Sequence, residues 1–250
     1  MPRFFLRSSS IADGIVTVTG DDAVHISRSL RMRVGEHITV CDMQKIEYDC
    51  EIVGFSPDSV RAKVISSHPS DTEPPYTVRL YQALPKSDKL DTIIQKSVET
   101  GAHVIVPFES ERCVARMDAD ERKEAKKLER RARIALEAAK QCGRGCVPTV
   151  EPTLKFSMML EDAKKSELVL FFYEGDNTVS LRELLQKKYP DKKRPESISV
   201  IIGSEGGFSL KEVEAARTAG FDICGLGKRI LRCETAPSFA LACLTYNFEL

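Results

Sequence analysis

IIGSEGGFSLKEVEAARTAGFDICGLGKRILRCETAPSFA, residues 201–240, decides the fold. The apolar run 199–202 stops at Gly203, and Gly206 and Gly207 follow. Ser209 and Glu212 then form a capping-box pair that opens a helix closing at Gly220. A strand that ends in glycine and feeds a capped helix is where α/β proteins hold ligands. GLG at 225–227 repeats the device, and RILRCETAP runs from it into a last helix with Pro237 near its start. Two such loops, close in sequence, can frame one pocket, so a ligand site is expected at this end of the chain. The spacing matches neither GxxxxGK(S/T) nor the dinucleotide pattern GxGxxG, so no familiar phosphate cradle is expected. Backbone geometry alone can also demand a glycine turn, because glycine takes positive φ without steric cost.

Around this region, apolar runs at 78–84, 102–107, 167–173, 198–202 and 221–226 alternate with helical patterns near 89–100, 120–141, 180–189, 210–219 and 237–248. Strands separated by helices imply a largely parallel sheet. Ahead of them, 14–18, 37–42, 46–55 and 59–66 read as short β segments, interrupted by one amphipathic helix at 21–30. HPSDTEPP, 68–75, is polar and proline-rich enough to be a linker. The expected organisation is therefore an α/β protein in two parts, a small β domain at 1–70 and a larger domain at 76–250.

The 250 residues carry 37 basic and 37 acidic side chains, so no global field announces a polyanionic partner. Local imbalance does more: residues 1–33 hold five arginines against three aspartates, and 111–146 hold eleven Lys or Arg against seven Asp or Glu. Such patches are either solvated faces with internal pairs or phosphate-contacting surfaces. The longest apolar stretch, 168–173, is far too short to cross a bilayer. MPRFFLRSSS lacks the apolar core of a signal peptide, so a cytoplasmic location and eight reduced cysteines are expected. Cys142 and Cys146 form a CGRGC pair, but no histidine or second cysteine pair stands near them in sequence, so no metal is expected. The four histidines, at 25, 37, 68 and 103, are dispersed and read as structural or surface residues.

GSEGGFS, LGKRILRCETAP, ERC at 111–113, AAKQCGR at 138–144 and LPKSDKLDTIIQKSVETGAHVIVP at 84–107 resemble the RsmE family. HISRSLRMRVGEHITVCD, 25–42, is similar to the family's leading module, so the likeness spans almost the whole chain in order. RsmE proteins belong to the SPOUT methyltransferases and methylate N3 of one uridine in 16S ribosomal RNA of the small subunit. The resemblance implies a PUA-like β-barrel, then an α/β domain with a parallel sheet and a trefoil knot, with S-adenosyl-L-methionine as cofactor. Gly203, Glu205, Gly206, Leu226, Gly227, Ile230 and Leu231 would line its site, together with Phe172 and Glu174 from the preceding strand end. The glycines would remove Cβ atoms where the ligand lies. The family usually has Pro where Ser204 stands, Thr where Cys233 stands and Leu where Thr100 stands.

Methyl transfer to a uridine N3 requires loss of a weakly acidic proton, so a proton acceptor or a cation for the developing anion is needed. Arg232 and Glu234 are the candidates to orient and charge-balance the base, or else they form a structural ion pair. Arg28, Arg31, Arg33, Lys86, Arg112 and Arg144 are expected phosphate contacts. Alternatives are a SPOUT enzyme acting on another RNA and a non-catalytic assembly factor of the same fold. The final helix, 237–248, is apolar around much of its circumference, which with the resemblance predicts a homodimer.

Overall fold

The apolar run ahead of Gly203 is a strand, Ser197–Ile202, buried over its last five residues. Covered on both faces, it shows a continuous apolar run rather than an alternation. It pairs in parallel with Thr77–Ala83 on one side and Leu168–Phe172 on the other. In this computed structural model, which describes residues 1–118, 120–191 and 193–250, those strands centre an eight-stranded sheet. Its order is Leu154–Lys155, Val104–Glu109, Thr77–Ala83, Ser197–Ile202, Leu168–Phe172, Asp222–Gly225 and Val179–Ser180, with Thr149–Val150 also on Val104–Glu109. Every pairing in it is parallel, as alternation of strand and helix demands. The helices Lys89–Glu99, Glu121–Cys142, Leu181–Lys188, Leu210–Thr218 and Ala236–Phe248 lie where the periodicity predicts them.

The chain divides into two compact units, Met1–Glu73 with Ala139–Val147, and Pro74–Ala138 with Pro148–Leu250. In the first, six strands form a largely antiparallel sheet in the order Arg3–Phe5, His37–Cys41, Ile46–Ser56, Ser59–Pro69, Ile15–Thr19, Ile11–Ala12. Phe4, Val16, Val18, Ile26, Ile38, Val40, Ile52 and Val60 fill its core. The expected helix at 21–30 is two pieces, an α-turn Gly20–Val24 and a π-turn His25–Ser29. Glu73 and Arg144, both in this unit, form an ion pair in which each side chain is 3% exposed. Glu73 also accepts the N–H groups of Gly145 at 2.8 Å and Cys146 at 3.2 Å. This satisfied buried pair pins 139–147 to the first unit.

A helix absent from the sequence reading, Phe156–Ala163, packs in the second unit without any side-chain N-cap bond. Polar contacts of Asp162 hold it instead: tertiary bonds from Arg79 and the Tyr81 hydroxyl, each at 2.8 Å, and a local one from Lys165 at 2.7 Å. Burial pushes the Asp162 carboxyl up, but the bonds from Lys165, Tyr81 and Arg79 outweigh it and bring its pKa down to about 2. A folded value below the unfolded one, near 4, adds stability above that pH and loses it as pH falls through about 2. Asp162→Asn should therefore cost about 1–2 kcal/mol at neutral pH and flatten the acid limb of the stability curve. Denaturant titrations from neutral to acid pH check both.

Candidate functional site

The carboxyl ends of Ser197–Ile202, Leu168–Phe172 and Asp222–Gly225 open into a cavity of about 700 Å³. That position, outside the carboxyl ends of parallel strands, is where the topology leaves a crevice. The volume falls within the roughly 300–1,000 Å³ of small-ligand pockets. All nine residues expected at the cofactor site, Phe172, Glu174, Gly203, Glu205, Gly206, Leu226, Gly227, Ile230 and Leu231, line it, as do Arg232 and Glu234.

The first glycine loop is a tight turn. The Gly207 N–H bonds the Ser204 carbonyl at 2.9 Å, and Gly207 sits at φ +61°. Phe208 then drops into the core, its ring centroid 4.2 Å from that of Phe171 and 6.3 Å from that of Phe108. The capping box forms as expected, with the Ser209 hydroxyl accepting from the Glu212 N–H and the Glu212 carboxylate accepting from the Ser209 N–H. Glu212 accepts the Glu111 N–H at 2.8 Å, and the Ser209 hydroxyl donates to Glu111 at 2.6 Å. The ERC segment is thereby sewn to the start of the helix.

Two of these cavity-lining glycines also have protein neighbours that a Cβ would crowd. A Cβ on Gly206 would come within 2.9 Å of Arg112 Cβ and 3.0 Å of the Arg112 carbonyl oxygen. One on Gly203 would meet Phe208 at 3.2 Å and the Gly207 Cα at 3.3 Å. Gly227 has open space around its Cβ direction, and its φ of +99° is what calls for glycine.

Electrostatics at the cavity centre on a residue the sequence did not single out. Lys89 Nζ lies 3.0 Å from Glu205 Oε1 and 3.2 Å from Glu234 Oε2. Its ammonium is held above the usual lysine range by the bonds to Glu205 and then Glu234. Burial pushes Glu205 up, yet its own backbone N–H, Lys89 and the Lys86 N–H together leave it below the usual glutamate range. Glu234 is also lowered, first by its own backbone N–H, against burial, with the Cys233 thiol and Lys89 adding to the effect. Arg232 is 83% exposed and 3.9 Å from Glu234, so the close partner of Glu234 is Lys89 rather than Arg232.

The expected phosphate contacts separate. Arg28, Arg31 and Arg33 are exposed; Arg28 lies in the π-turn and Arg31 holds a left-handed φ of +52°. Such backbone departures concentrate at functional sites. Arg112 lines the cavity and donates to the Gly206 carbonyl at 3.2 Å. Lys86 has an exposed side chain, and its backbone N–H bonds the Glu205 carboxylate at 3.1 Å. Arg144 does not belong with them. Its Nε and Nη2 both bond Glu73 at 2.8 Å, and at 3% exposure it offers no donor to a surface ligand.

Family models described as "RNA methyltransferase domain" and "RNA methyltransferase PUA domain" match residues 72–245 and 18–65. The chain is 36% identical to Ribosomal RNA small subunit methyltransferase E of Bacillus subtilis, covering 100% of this chain and 98% of that one. It is 31% identical to the protein of the same name from Mesomycoplasma hyopneumoniae, covering 96% and 97%. The crystal structure of a Ribosomal RNA small subunit methyltransferase E from Neisseria gonorrhoeae, bound to S-adenosyl methionine, superposes with a TM-score of 0.83 at 30% identity, covering 98% of this chain and 97% of that one.

The close approach at Gly206 yields a direct test. Gly206→Ala should destabilise the second unit by about 1–3 kcal/mol, because backbone atoms of Arg112 must move. Gly227→Ala carries conformational strain alone and should cost about 1–2 kcal/mol. Chemical denaturation of both variants, with hydrogen exchange across 110–116, checks that the exchange change follows Gly206→Ala and not Gly227→Ala.

Proposed function

Because the chain belongs to the RNA methyltransferase family that includes the ribosomal RNA small subunit methyltransferases E, we propose that it moves a methyl group from S-adenosyl-L-methionine to N3 of one uridine in 16S ribosomal RNA. The observation that carries this reading is the cavity framed by the two glycine loops at the strand ends. Its lining suits this cofactor. Phe172, Ile202, Leu226 and Leu231 supply apolar surface, glycine-rich main chain supplies donors and acceptors, and Glu174, Glu205 and Glu234 favour a cation. Bound there, the cofactor supplies an electrophilic methyl group on a sulfonium, for direct displacement by the base.

Residues of the chain do the rest. The exposed Arg232 guanidinium at the cavity stabilises negative charge developing on the uracil as N3 loses its proton to water. Glu234, held anionic by Lys89 and its own backbone, is a weak proton acceptor; it fixes local charge and orientation. The target base must be unpaired or flipped to reach the cavity. Arg28, Arg31 and Arg33 on the first unit, with Lys86 and Arg112 on the second, contact phosphates of the ribosomal RNA or the small subunit. A ribosomal substrate places this work in the cytoplasm, and among the described residues no helix is long and apolar enough to cross a membrane.

The working form is a homodimer paired through the helix Ala236–Phe248. Ala240, Leu241 and Leu244 are buried in their own unit, and Phe248 stacks edge-on with Tyr76 and Tyr189. The interface therefore falls to Phe239, 38% exposed, and Tyr246, 77% exposed, rather than to Leu241 or Leu244. A trefoil knot in the second unit, as in SPOUT enzymes, is part of the same reading.

Purified protein should methylate small subunits with S-adenosyl-L-methionine, and mass analysis of the RNA should place the methyl group on a uridine base. No mass gain would sink the reading. Arg232→Ala should lower turnover by roughly a hundredfold or more, as loss of one charge-stabilising donor does, with cofactor affinity retained. Replacing Arg28, Arg31 and Arg33 with Ala should make the salt dependence of RNA binding shallower by roughly 0.7 for each phosphate that the variant no longer neutralises. An unchanged slope would return these arginines to a solvated surface. Phe239→Glu with Tyr246→Glu should give monomers in sedimentation.

A further inference from the structure

We infer that Lys89 is a positioning residue for methyl transfer, setting the distance between the two glycine loops through the carboxylates of Glu205 and Glu234; the inference rests on the function proposed above. Glu205 lies in the turn after Ser197–Ile202, and Glu234 in the segment after the second glycine loop. The ammonium of Lys89 bonds both, at 3.0 and 3.2 Å. A compact ammonium with three donors suits two carboxylates approaching from different segments.

The surroundings make the link rigid. The Lys86 N–H holds Glu205 at 3.1 Å, and the Cys233 thiol donates to Glu234 at 3.3 Å. Ser87, between Lys86 and Lys89, takes a left-handed φ of +56°, a strained conformation for a side chain with Cβ. That turn delivers one backbone donor and one ammonium to the same side of the cavity. Lys89 is also the first residue of the helix Lys89–Glu99, where a cation opposes the helix dipole. Helix stability does not account for a lysine at this position, whereas the two carboxylates do. Without the ammonium, both carboxylates would repel across the cavity, and the loops would separate.

The test measures binding of S-adenosyl-L-methionine to the full-length protein by calorimetry, and steady-state kinetics on small subunits. Lys89→Met should weaken affinity and raise the KM for the cofactor by about tenfold, the scale on which supporting residues act, with a smaller change in kcat. Lys89→Arg should recover most of the loss, because it restores a cation between the carboxylates. In the Lys89→Met background, Glu234→Gln should cost less than it does alone, since it relieves the repulsion. If Lys89→Met does not fold, Lys89→Gln removes the charge while keeping a donor, and it carries the same expectations. Wild-type affinity in the charge-removing variant, or additive losses in the double variant, overturns the inference while leaving the function standing. A wild-type protein that does not bind the cofactor instead overturns the function itself.

Discussion

Two stretches of main chain, at Gly206 and Arg112, approach so closely that no Cβ fits between them, and the site depends on that approach. It brings the ERC segment against the first glycine turn, where Glu111 can reach Ser209 and the Glu111 N–H can reach Glu212. The capping box then does more than start a helix. Its glutamate is 6% exposed and accepts N–H groups from two segments far apart in the chain. With Phe208 anchored in the aromatic core beneath, the turn is fixed from below, from the side and at the helix end. A ligand pocket made of main chain needs such fixing, because glycine contributes no side-chain packing of its own.

Under the proposed function, charge at the cavity serves two ligands of opposite sign. A sulfonium favours the carboxylates Glu174, Glu205 and Glu234, whereas RNA favours Arg112, Lys228, Arg229 and Arg232. Pairing Lys89 with two of the carboxylates tempers the first group without removing it. Arg232 has no partner nearer than 3.9 Å among the ion pairs of the described residues, which under the proposed function leaves it for the substrate. On this reading, anchored charge faces the cofactor and loosely held charge faces the nucleic acid.

What the sequence made legible was local, and what it hid was long-range. The strand–glycine–capping-box series, the second glycine loop and the last helix are each written in a few adjacent residues, and each forms where it was read. The two-residue strands Thr149–Val150, Leu154–Lys155 and Val179–Ser180 exist only through their neighbours' edges, so no periodicity announces them. Lys89 sits in a helix start that looks ordinary until Glu205 and Glu234 are brought to it. Arg144 looked basic and free for the opposite reason, because its neutralising partner, Glu73, lies far away in the sequence. Gly206 was read as lining the ligand site, but its close approach to Arg112 is a contact that sequence proximity could not reveal.

The three departures from the usual family residues are each absorbed by a nearby bond. Thr100, in place of Leu, closes the helix Lys89–Glu99 by donating its hydroxyl to the Lys96 carbonyl at 2.8 Å. Cys233, in place of Thr, keeps a side-chain donor on Glu234, so the thiol substitutes for a hydroxyl in orienting that carboxylate. Burial drives the Cys233 pKa up to about 12, with the bond to Glu234 adding to it, so the thiol stays protonated and able to donate. Ser204, in place of Pro, gives up a fixed φ, but the bond from the Gly207 N–H and the bridge between the two residues restrain the turn instead. Its buried hydroxyl has no hydrogen-bond partner among the described residues, a cost a proline would not carry. The turn therefore tolerates Ser204 because the close approach at Gly206 and the anchored Phe208 already determine its shape.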